Sequence, residues 1–417
     1  MTALILAFLC HFVLLGSYYI LRPLRDTMAT VFGVGELQDL FTGTFLITLL
    51  CAPLFAWGAS KLKLTQFVPG IFWLLLVNLL VFYELFHLAP RNRWVAASYF
   101  WWFSVVNLFL VSIFWTLMAD VFTAHQATRL YGFIAAGGSL GAIAGPLITL
   151  SLVSHVGVGG LLLASAAGFL IVILLIRALM REKAKLRAID ADAQQTTLDH
   201  SLPGNPLRGF TLLLRSSYLR KQATFMLLMT WIATVVYFLQ TDLIAKTFSA
   251  VESRTIAFAN VDLVVNICSA SILIFGLGRA LQRYGVTACL VLSPILMVAT
   301  CLGLLVAPTL FMVQSTRALQ RISQYAIARP SREILFTVVD QQSKYKAKNV
   351  IDTVVYRFGD VTAAWMQAGL RAAGAGMLGA VGVGVAVSVA WGFVAVAMGR
   401  HYEALRSVPQ PVPGATL

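Results

Sequence analysis

Apolar residues run in stretches of about twenty along nearly the whole chain, and short polar segments separate them. A stretch of that length spans about 30 Å of hydrocarbon when it is helical. The pattern therefore predicts an all-α membrane protein with twelve transmembrane helices. Their expected bounds are 3–28, 38–58, 68–88, 95–121, 130–152, 158–178, 222–245, 256–277, 285–306, 308–328, 349–370 and 376–399.

One long polar segment divides this pattern into two parts of nearly equal length. We expect a six-helix half over 1–179, a basic cytoplasmic linker over 180–221, a second six-helix half over 222–400 and a cytoplasmic tail over 401–417. Residues 190–205 lack any helical pattern, whereas 207–220 predicts a short interfacial helix. This plan is typical of the major facilitator fold, in which two halves rock around a midplane site.

Composition and charge agree with a membrane class. Of 417 residues, 59% are hydrophobic and 12% charged, which excludes an ordinary soluble domain. The net charge is +14, and of the 31 Lys and Arg, 21 fall on one predicted side, seven on the other and three within helices. This asymmetry predicts an inner-membrane protein with both termini in the cytoplasm. The predicted topology thus accounts for the excess of positive charge, and we expect no nucleic-acid partner.

Metal, disulfide and catalytic patterns are absent from the sequence. The five cysteines lie in apolar runs without a CxxC pair, so we interpret them as core residues. The six histidines are scattered, and no hydrolase pattern emerges. We expect no metal, no cofactor and no enzymatic activity. The apolar start lacks the features of a cleaved signal and is interpreted as a true first helix.

The first predicted helix ends in charged residues, Arg22, Arg25 and Asp26, around Pro23. Arg22 and Asp26 are four apart and are expected to pair, which leaves Arg25 without a local partner. Pro23 frees a backbone carbonyl and predicts a bend. Two interpretations stay open: the arginines form an anion site facing a cavity, or they mark the membrane edge.

The tenth predicted helix carries a polar stripe, which we define as the residues at helical spacing on its one polar face: Gln314, Arg317, Arg321, Gln324 and Tyr325. A lipid-facing helix would not carry these residues, so the stripe is expected to face the bundle or a cavity. The alternative is a buried structural ion-pair network.

The eleventh predicted helix holds Asp352, Arg357 and Asp360. Arg357 and Asp360 are three apart and are expected to pair, and Asp352 is expected to meet an arginine of the tenth helix. Membrane carboxylates that change charge are natural proton-coupling groups.

Other polar positions within the predicted helices are few. Asn78 and Asn107 are expected to be buried in the N-terminal half, and the eighth helix holds Asn260, Asp262 and Asn266. In the seventh helix, Gln240 and Asp242 are two apart and are expected on different faces, with Asp242 solvated near the outer end. Glycines at four-residue spacing, Gly137, Gly141 and Gly145, are interpreted as helix-packing positions and not as a phosphate cradle.

Three stretches resemble the nucleotide (ATP/ADP) translocase family of plastids and intracellular bacteria. They are Leu21-Arg22-Pro23-Leu24-Arg25-Asp26, then Ile113-Phe114-Trp115 with Ala127-Thr128-Arg129-Leu130-Tyr131-Gly132, and Lys346-Ala347-Lys348-Asn349-Val350-Ile351-Asp352 with Arg357-Phe358-Gly359-Asp360. The resemblance implies a facilitator-like fold and alternating access.

The same resemblance has consequences for individual residues. Arg25 matches a family lysine implied to contact nucleotide phosphate. Three further charged family positions fall at or near Phe103, Gln240 and Asp360, where the charge is lost twice and reversed once. We therefore expect the scaffold to be shared, while ATP/ADP exchange itself is not implied.

These features predict a secondary transporter of a small anionic or zwitterionic metabolite, with possible proton coupling. Arg25 would bind the anionic group from the N-terminal half, and Arg317 or Arg321 from the C-terminal half. The remaining expected site residues are Asn107, Gln240 and Gln324 for binding, and Arg22, Asp26, Asp352, Arg357 and Asp360 for coupling or gating. The alternatives are a true nucleotide exchanger and a non-transporting membrane protein such as a lipid flippase or an assembly partner.

Overall fold

The computed structural model of the protein describes residues 2–61, 64–189, 208–339 and 347–407, and every regular element among them is helical. The α-helices before the gap are α1 Thr2–Phe32, α2 Leu37–Lys61, α3 Leu64–Leu88, α4 Arg93–Val121 and α5 Ala124–Ile189. Those after it are α6 Arg208–Arg215, α7 Ser217–Thr247, α8 Val251–Ser271, α9 Leu277–Val306, α10 Leu310–Ile322, α11 Arg329–Leu335, α12 Tyr356–Ala372 and α13 Gly376–Ser407.

Short π-helical and 3₁₀ segments connect several of these helices. The π-helical segments are Ile272–Gly276, Ser323–Ala328 and Ile351–Val355. The 3₁₀ turns are Val34–Glu36 and Phe336–Val338. The short helix expected near 207–220 is present as α6, while residues 190–207 of the linker and the tail beyond residue 407 lie outside the described residues. The first helix runs on through Pro23 to Phe32, past its expected end at 28.

Two glycines interrupt what would otherwise be very long helices. Gly157 within α5 and Gly285 within α9 have φ of 64° and 79°, values that glycine adopts without steric cost. Among the described residues, eight helical stretches are long and apolar enough to cross a membrane, and two of them, of 55 and 56 residues, contain these glycines. The predicted tenth and eleventh crossings are not among the eight, because their polar residues lower the mean hydropathy. The count of twelve crossings stays a prediction.

The chain folds into two compact units. Unit 1 comprises Met1–His200 and Thr241–Ile267, and unit 2 comprises Ser201–Gln240 and Cys268–Leu417. The end of α7 and most of α8 therefore pack with the N-terminal helices, although they belong to the predicted C-terminal half by chain position. The division of the chain into functional halves at 180–221 stays a prediction.

In unit 1, α1 lies antiparallel to α4. His11 stacks on Phe114 with ring centroids 4.2 Å apart, and Tyr18 stacks on Phe103 at 4.9 Å. Farther along, Phe32 meets Trp94 at 6.1 Å. Residue numbers rise along α1 as they fall along α4, so the two helices run in opposite directions.

On its other side α1 lies close to α5, and the expected glycine positions make this approach possible. A Cβ added to Gly137 would lie 2.6 Å from the carbonyl oxygen of Phe8, and one on Gly145 would lie 2.6 Å from that of Gly16. A Cβ on Gly141 would collide with the carbonyl oxygen of Phe12. The interpretation of these glycines as packing positions is confirmed.

In unit 2, α7, α9 and α13 meet around a second small residue. A Cβ on Gly384 would lie 3.3 Å from the Cys301 sulfur and 3.4 Å from Ile232 Cδ1. Close by in the sequence, Trp391 is 2% exposed and packs on Phe225 with centroids 5.4 Å apart. Unit 2 therefore has its own apolar core.

The α1–α5 approach yields a stability prediction. Gly141→Ala should lower the apparent thermal unfolding midpoint by several degrees, because overpacking costs about 1–3 kcal/mol. Gly132→Ala is the matched control on the same helix, since no atom lies within 4 Å of its added Cβ. The control should match the wild type or exceed it slightly. Equal midpoints for both variants in detergent would contradict the packing role of Gly141.

Candidate functional site

Arg22 forms an ion pair with Asp262, which lies 240 residues away on α8. The two side chains are 14% and 1% exposed, so the carboxylate is almost completely withdrawn from solvent. The expected local pair between Arg22 and Asp26 is wrong. A local helical pair contributes only about 0.2–0.5 kcal/mol, whereas a buried carboxylate left without a counter-charge costs several kcal/mol. The longer-range pair therefore prevails.

Arg25 is bound to its neighbour Asp26, with Nη1 and Oδ1 2.6 Å apart. The expectation that Arg25 lacks a local partner is therefore also wrong. Its guanidinium lies 3.8 Å from the centre of the Phe100 ring, and Nη2 donates to Ser104 Oγ at 3.5 Å. The Arg25 side chain is 21% exposed and that of Asp26 is 7% exposed. Arg25 is thus a positioned cation that solvent still reaches.

Asn107 completes the α1–α4 contact, but at its edge. Tyr18 donates its hydroxyl to Asn107 Oδ1 at 2.8 Å, while the asparagine itself is exposed. The expectation of a buried Asn107 is wrong, because the side chain lies at the rim of the helix pair. Asn78 is half-buried. Phe103, at the position of a charged residue in the resembled family, is 2% exposed and stacks on Tyr18.

Further contacts join α1 to α8, and sequence analysis did not foresee them. Thr27 and Thr255 hydroxyls are 3.0 Å apart, and Arg254 donates to Thr30 Oγ1 at 3.0 Å. Together with the Arg22–Asp262 pair, these contacts form what we call the α1–α8 seam. A signal existed in the sequence, since Thr255 and Asp262 are seven apart and share one helical face.

Asn266, four residues beyond Asp262, extends this face of α8 toward a different helix. Its amide donates to the carbonyl oxygen of Ala142 on α5 at 2.6 Å. The donor and the acceptor are both buried. The polar residues of the eighth predicted helix thus contact two N-terminal helices within unit 1.

The polar stripe of the tenth predicted helix faces the interior of unit 2, as expected. Arg317 donates to the carbonyl oxygen of Ala233 at 3.0 Å and to Gln320 Oε1 at 2.8 Å. Gln320 in turn donates to Gln324 Oε1 at 2.9 Å. Gln320, which sequence analysis missed, therefore links the two predicted residues in one hydrogen-bond chain. Arg317 also lies 5.3 Å from the Tyr237 ring centre.

The inner end of the stripe is deeply buried. Arg321 and Gln324 are each 3% exposed, and the Arg321 guanidinium lies 5.7 Å from the Tyr325 ring centre. The amide nitrogen of Gln324 has no hydrogen-bond partner among the described residues. A buried donor in this state is costly and is normally satisfied by water or a ligand. Gln324 and Tyr325 lie in the π-helical segment Ser323–Ala328, a geometry frequent at functional sites.

The acidic residues near α12 find two separate partners. Arg357 and Asp360 form the expected pair at 3.5 Å, and Thr234 on α7 donates to Asp360 Oδ1 at 3.2 Å. Asp352 instead pairs with Arg332 at 2.6 Å. The expected arginine of the tenth span is therefore replaced by one on α11, because the helical path continues beyond residue 328. Arg332 is 4% exposed and was not foreseen as a site residue.

The last two predicted polar positions lie near the end of α7. Gln240 is 2% exposed. The Asp242 side chain is 30% exposed and accepts from Lys246 at 2.7 Å, so the two residues differ in burial, as positions on different faces should.

The predicted site residues thus form two sets. The set in unit 1 lies on α1 and α4 and comprises Arg22, Arg25, Asp26 and Asn107. The set in unit 2 comprises Gln240, Asp352, the stripe and the Arg357–Asp360 pair. Arg329 and Tyr356 lie between Tyr325 of the stripe and Arg357. Among the described residues, no three His, Cys, Asp or Glu side chains lie close enough to hold a metal ion.

Comparison with known proteins gives a family match and several structural likenesses. A family model described as Major Facilitator Superfamily matches residues 7–319. No curated protein sequence matches the chain significantly. The chain resembles the crystal structure of the nucleoside transporter NupG, with 14% identity, 98% of this chain and 99% of that chain covered, and a TM-score of 0.62.

Two further solved structures are similar over nearly their whole lengths. One is a bacterial homologue of the iron transporter ferroportin in an inward-facing state, with 11% identity, coverage of 95% and 98%, and a TM-score of 0.63. The other is a POT family transporter in complex with a thioalcohol-conjugated peptide, with 10% identity, coverage of 96% and 96%, and a TM-score of 0.60. At these identities the likeness is one of fold.

The α1–α8 seam predicts strong energetic coupling between Arg22 and Asp262. Arg22→Gln and Asp262→Asn should each destabilise the protein by about 3–5 kcal/mol, because each leaves a buried partner uncompensated. The double variant should lose much less than the sum of the two. A double-mutant cycle on denaturant unfolding measures this coupling. Strictly additive losses would show that the two side chains do not depend on each other.

Proposed function

We propose that this chain, which belongs to the Major Facilitator Superfamily, carries a small anionic or zwitterionic metabolite across the inner membrane by alternating access. Its fold is that of the transporters described above. The observation that carries the proposal is Arg25, a partly accessible guanidinium held in place on an apolar helix by Asp26 and Phe100. Ionisable groups within membrane helices are rare and mark substrate or ion pathways.

The geometry at Arg25 suits recognition of a carboxylate or phosphate. A guanidinium binds such groups through parallel N–H···O hydrogen bonds. The Phe100 ring limits the directions in which the guanidinium can move, so little conformational entropy is lost on binding. Ser104 adds a hydroxyl 3.5 Å from Nη2. The arriving anion must compete with Asp26 for the same cation.

That competition gives Asp26 a part in coupling. Its carboxylate neutralises Arg25 and weakens the attraction for an anion. A movement that takes Asp26 away from Arg25 would release the guanidinium charge to the substrate. The proposal includes coupling to a proton gradient, in which Asp26 would take part because it holds the substrate-binding cation. Arg22, held by Asp262, would keep α8 docked on α1 and act in gating.

Unit 2 offers a second group of donors. The chain Arg317–Gln320–Gln324 ends in a buried amide nitrogen without a protein partner among the described residues. A substrate oxygen would accept a hydrogen bond from this amide nitrogen. Arg357 with Asp360, and Asp352 with Arg332, are pairs that could exchange partners between transport states. Lys and Arg distribution supports an inner-membrane location with both termini in the cytoplasm.

A nucleotide is the second candidate substrate. One observation favours it: the Arg329 guanidinium lies 4.9 Å from the Tyr325 ring centre and 6.0 Å from that of Tyr356. Two aromatic rings beside a cation suit a planar base carrying phosphate. The carboxylate of Asp360 opposes this candidate, because the resembled family has a lysine at that position.

Uptake by purified protein in proteoliposomes tests the transport proposal. Across a panel of labelled carboxylates, zwitterions and nucleotides, the wild type should accumulate one class. Arg25→Ala should reduce that uptake about ten- to a hundredfold, since charge-assisted hydrogen bonds contribute about 1.5–3 kcal/mol. Asp360→Asn should also impair it, whereas Arg93→Ala, at an exposed pair with Glu36, should not.

Wild-type uptake in both Arg25→Ala and Asp360→Asn would remove these residues from the site. Exchange of ATP or ADP by the wild type would favour the nucleotide candidate over a smaller metabolite. If no member of the panel is taken up by a folded protein, the transport proposal for these classes fails.

The role of Asp26 predicts a split between exchange and accumulation. Asp26→Asn removes the charge that competes with the substrate for Arg25, so counterflow without a pH gradient should stay within about twofold of the wild type. Accumulation driven by an imposed pH gradient should be lost. Retained accumulation would exclude Asp26 from coupling, and loss of both activities would assign Asp26 to substrate binding instead.

A further inference from the structure

Unit 1 contains a cavity of about 700 Å³ that the transport proposal does not use. It lies among the ends of α1 and α3, the part of α5 that follows Gly157, and the start of α8. Met28 of α1, which is 3% exposed, is one of the residues that line the cavity. Cavities of roughly 300–1,000 Å³ are the usual size of small-molecule sites.

The local sequence explains why this space is open. Gly157 has φ of 64° and breaks the helical path of α5. Gly159 follows and lies against the ring of Tyr83, because a Cβ there would be 3.2 Å from Tyr83 Cε2. Gly159 and the next residue, Gly160, both line the cavity and contribute no side chain to it. The helices therefore leave a partly open volume beside them.

The lining has a definite chemical character. Glu252, in the first turn of α8, supplies a carboxylate to the lining. No Lys or Arg is among the described residues that line the cavity. Tyr83, Phe86 and His87 contribute three rings from α3, and most of the remaining lining is aliphatic. Glu252 also interacts favourably with the dipole at the amino end of α8, and this interaction by itself would account for an acidic residue there. The helix dipole does not account for the three rings and the open volume beside Glu252.

We propose that this cavity binds a small organic cation with an apolar body. A carboxylate supplies the counter-charge, and aromatic faces attract ammonium groups at contact distance. The aliphatic lining would accommodate the apolar part of the ligand. This ligand has the opposite charge to the proposed transport substrate, so the cavity is a separate site and its test does not rest on transport.

The cavity adjoins the α1–α8 seam. Met28 follows Thr27 directly, and Glu252 precedes Arg254 and Thr255 by two and three residues. Thr27–Thr255 and Thr30–Arg254 are seam contacts. A ligand touching both Met28 and Glu252 would hold α8 against α1. The cation would therefore stabilise the docked arrangement of these two helices and restrain any transport step that separates them.

Equilibrium dialysis with radiolabelled benzyltrimethylammonium tests the proposal on the purified full-length protein. The wild type should bind it saturably, and unlabelled benzenesulfonate, which has a similar body and the opposite charge, should not compete. Glu252→Gln should weaken binding about tenfold. Glu84→Gln, on α3 but outside the cavity lining, is the matched control and should bind as the wild type does.

Gly159→Leu places a side chain in the cavity and should abolish saturable binding. Should that variant fail to fold, the Glu252→Gln comparison still decides the matter. Equal affinity of wild type and Glu252→Gln, effective competition by benzenesulfonate, or no saturable binding to the wild type would each overturn the proposal.

Discussion

A charge buried in an apolar helical bundle must be paired, and this constraint organises the structure. Only 12% of the residues are charged. Inside the bundle these residues do not lie at random, because an uncompensated carboxylate at the burial of Asp262 would cost a large part of the net stability of the protein. Arg22 satisfies that requirement across 240 residues of sequence. The pair thereby helps determine which surface of α8 lies against α1.

The same constraint connects stability to function. The pairs Arg22–Asp262, Arg332–Asp352 and Arg25–Asp26 each have one side chain that is nearly withdrawn from solvent. The first two join side chains of different helical segments, whereas Arg25 and Asp26 are neighbours on α1. The first two pairs therefore link parts of the fold, and in the function proposed above Arg25 is the cation that meets the substrate.

Charge sign distinguishes two regions of unit 1. Around Arg25 a guanidinium, a carboxylate and a hydroxyl meet. Near Glu252 a carboxylate and three rings border a cavity that is partly open, and its described lining includes neither lysine nor arginine. The two regions are joined by α1, on which Arg25 and Met28 are one turn apart. A ligand in one region would therefore act on the helix that carries the other.

The helical class, most helix positions, the glycine contacts of α5 and the Arg357–Asp360 pair followed from sequence alone, because they depend on period, length and neighbours within one turn. The partners of Arg22 and Asp352 did not. Asp262 and Arg332 became visible only in the folded chain, and so did the end of the first helix at Phe32 and the turns at Gly157 and Gly285. Local patterns determine which residues share a helical face. Which helix that face meets depends on packing and on pairing of buried charge across the whole chain, and tertiary structure alone decides it.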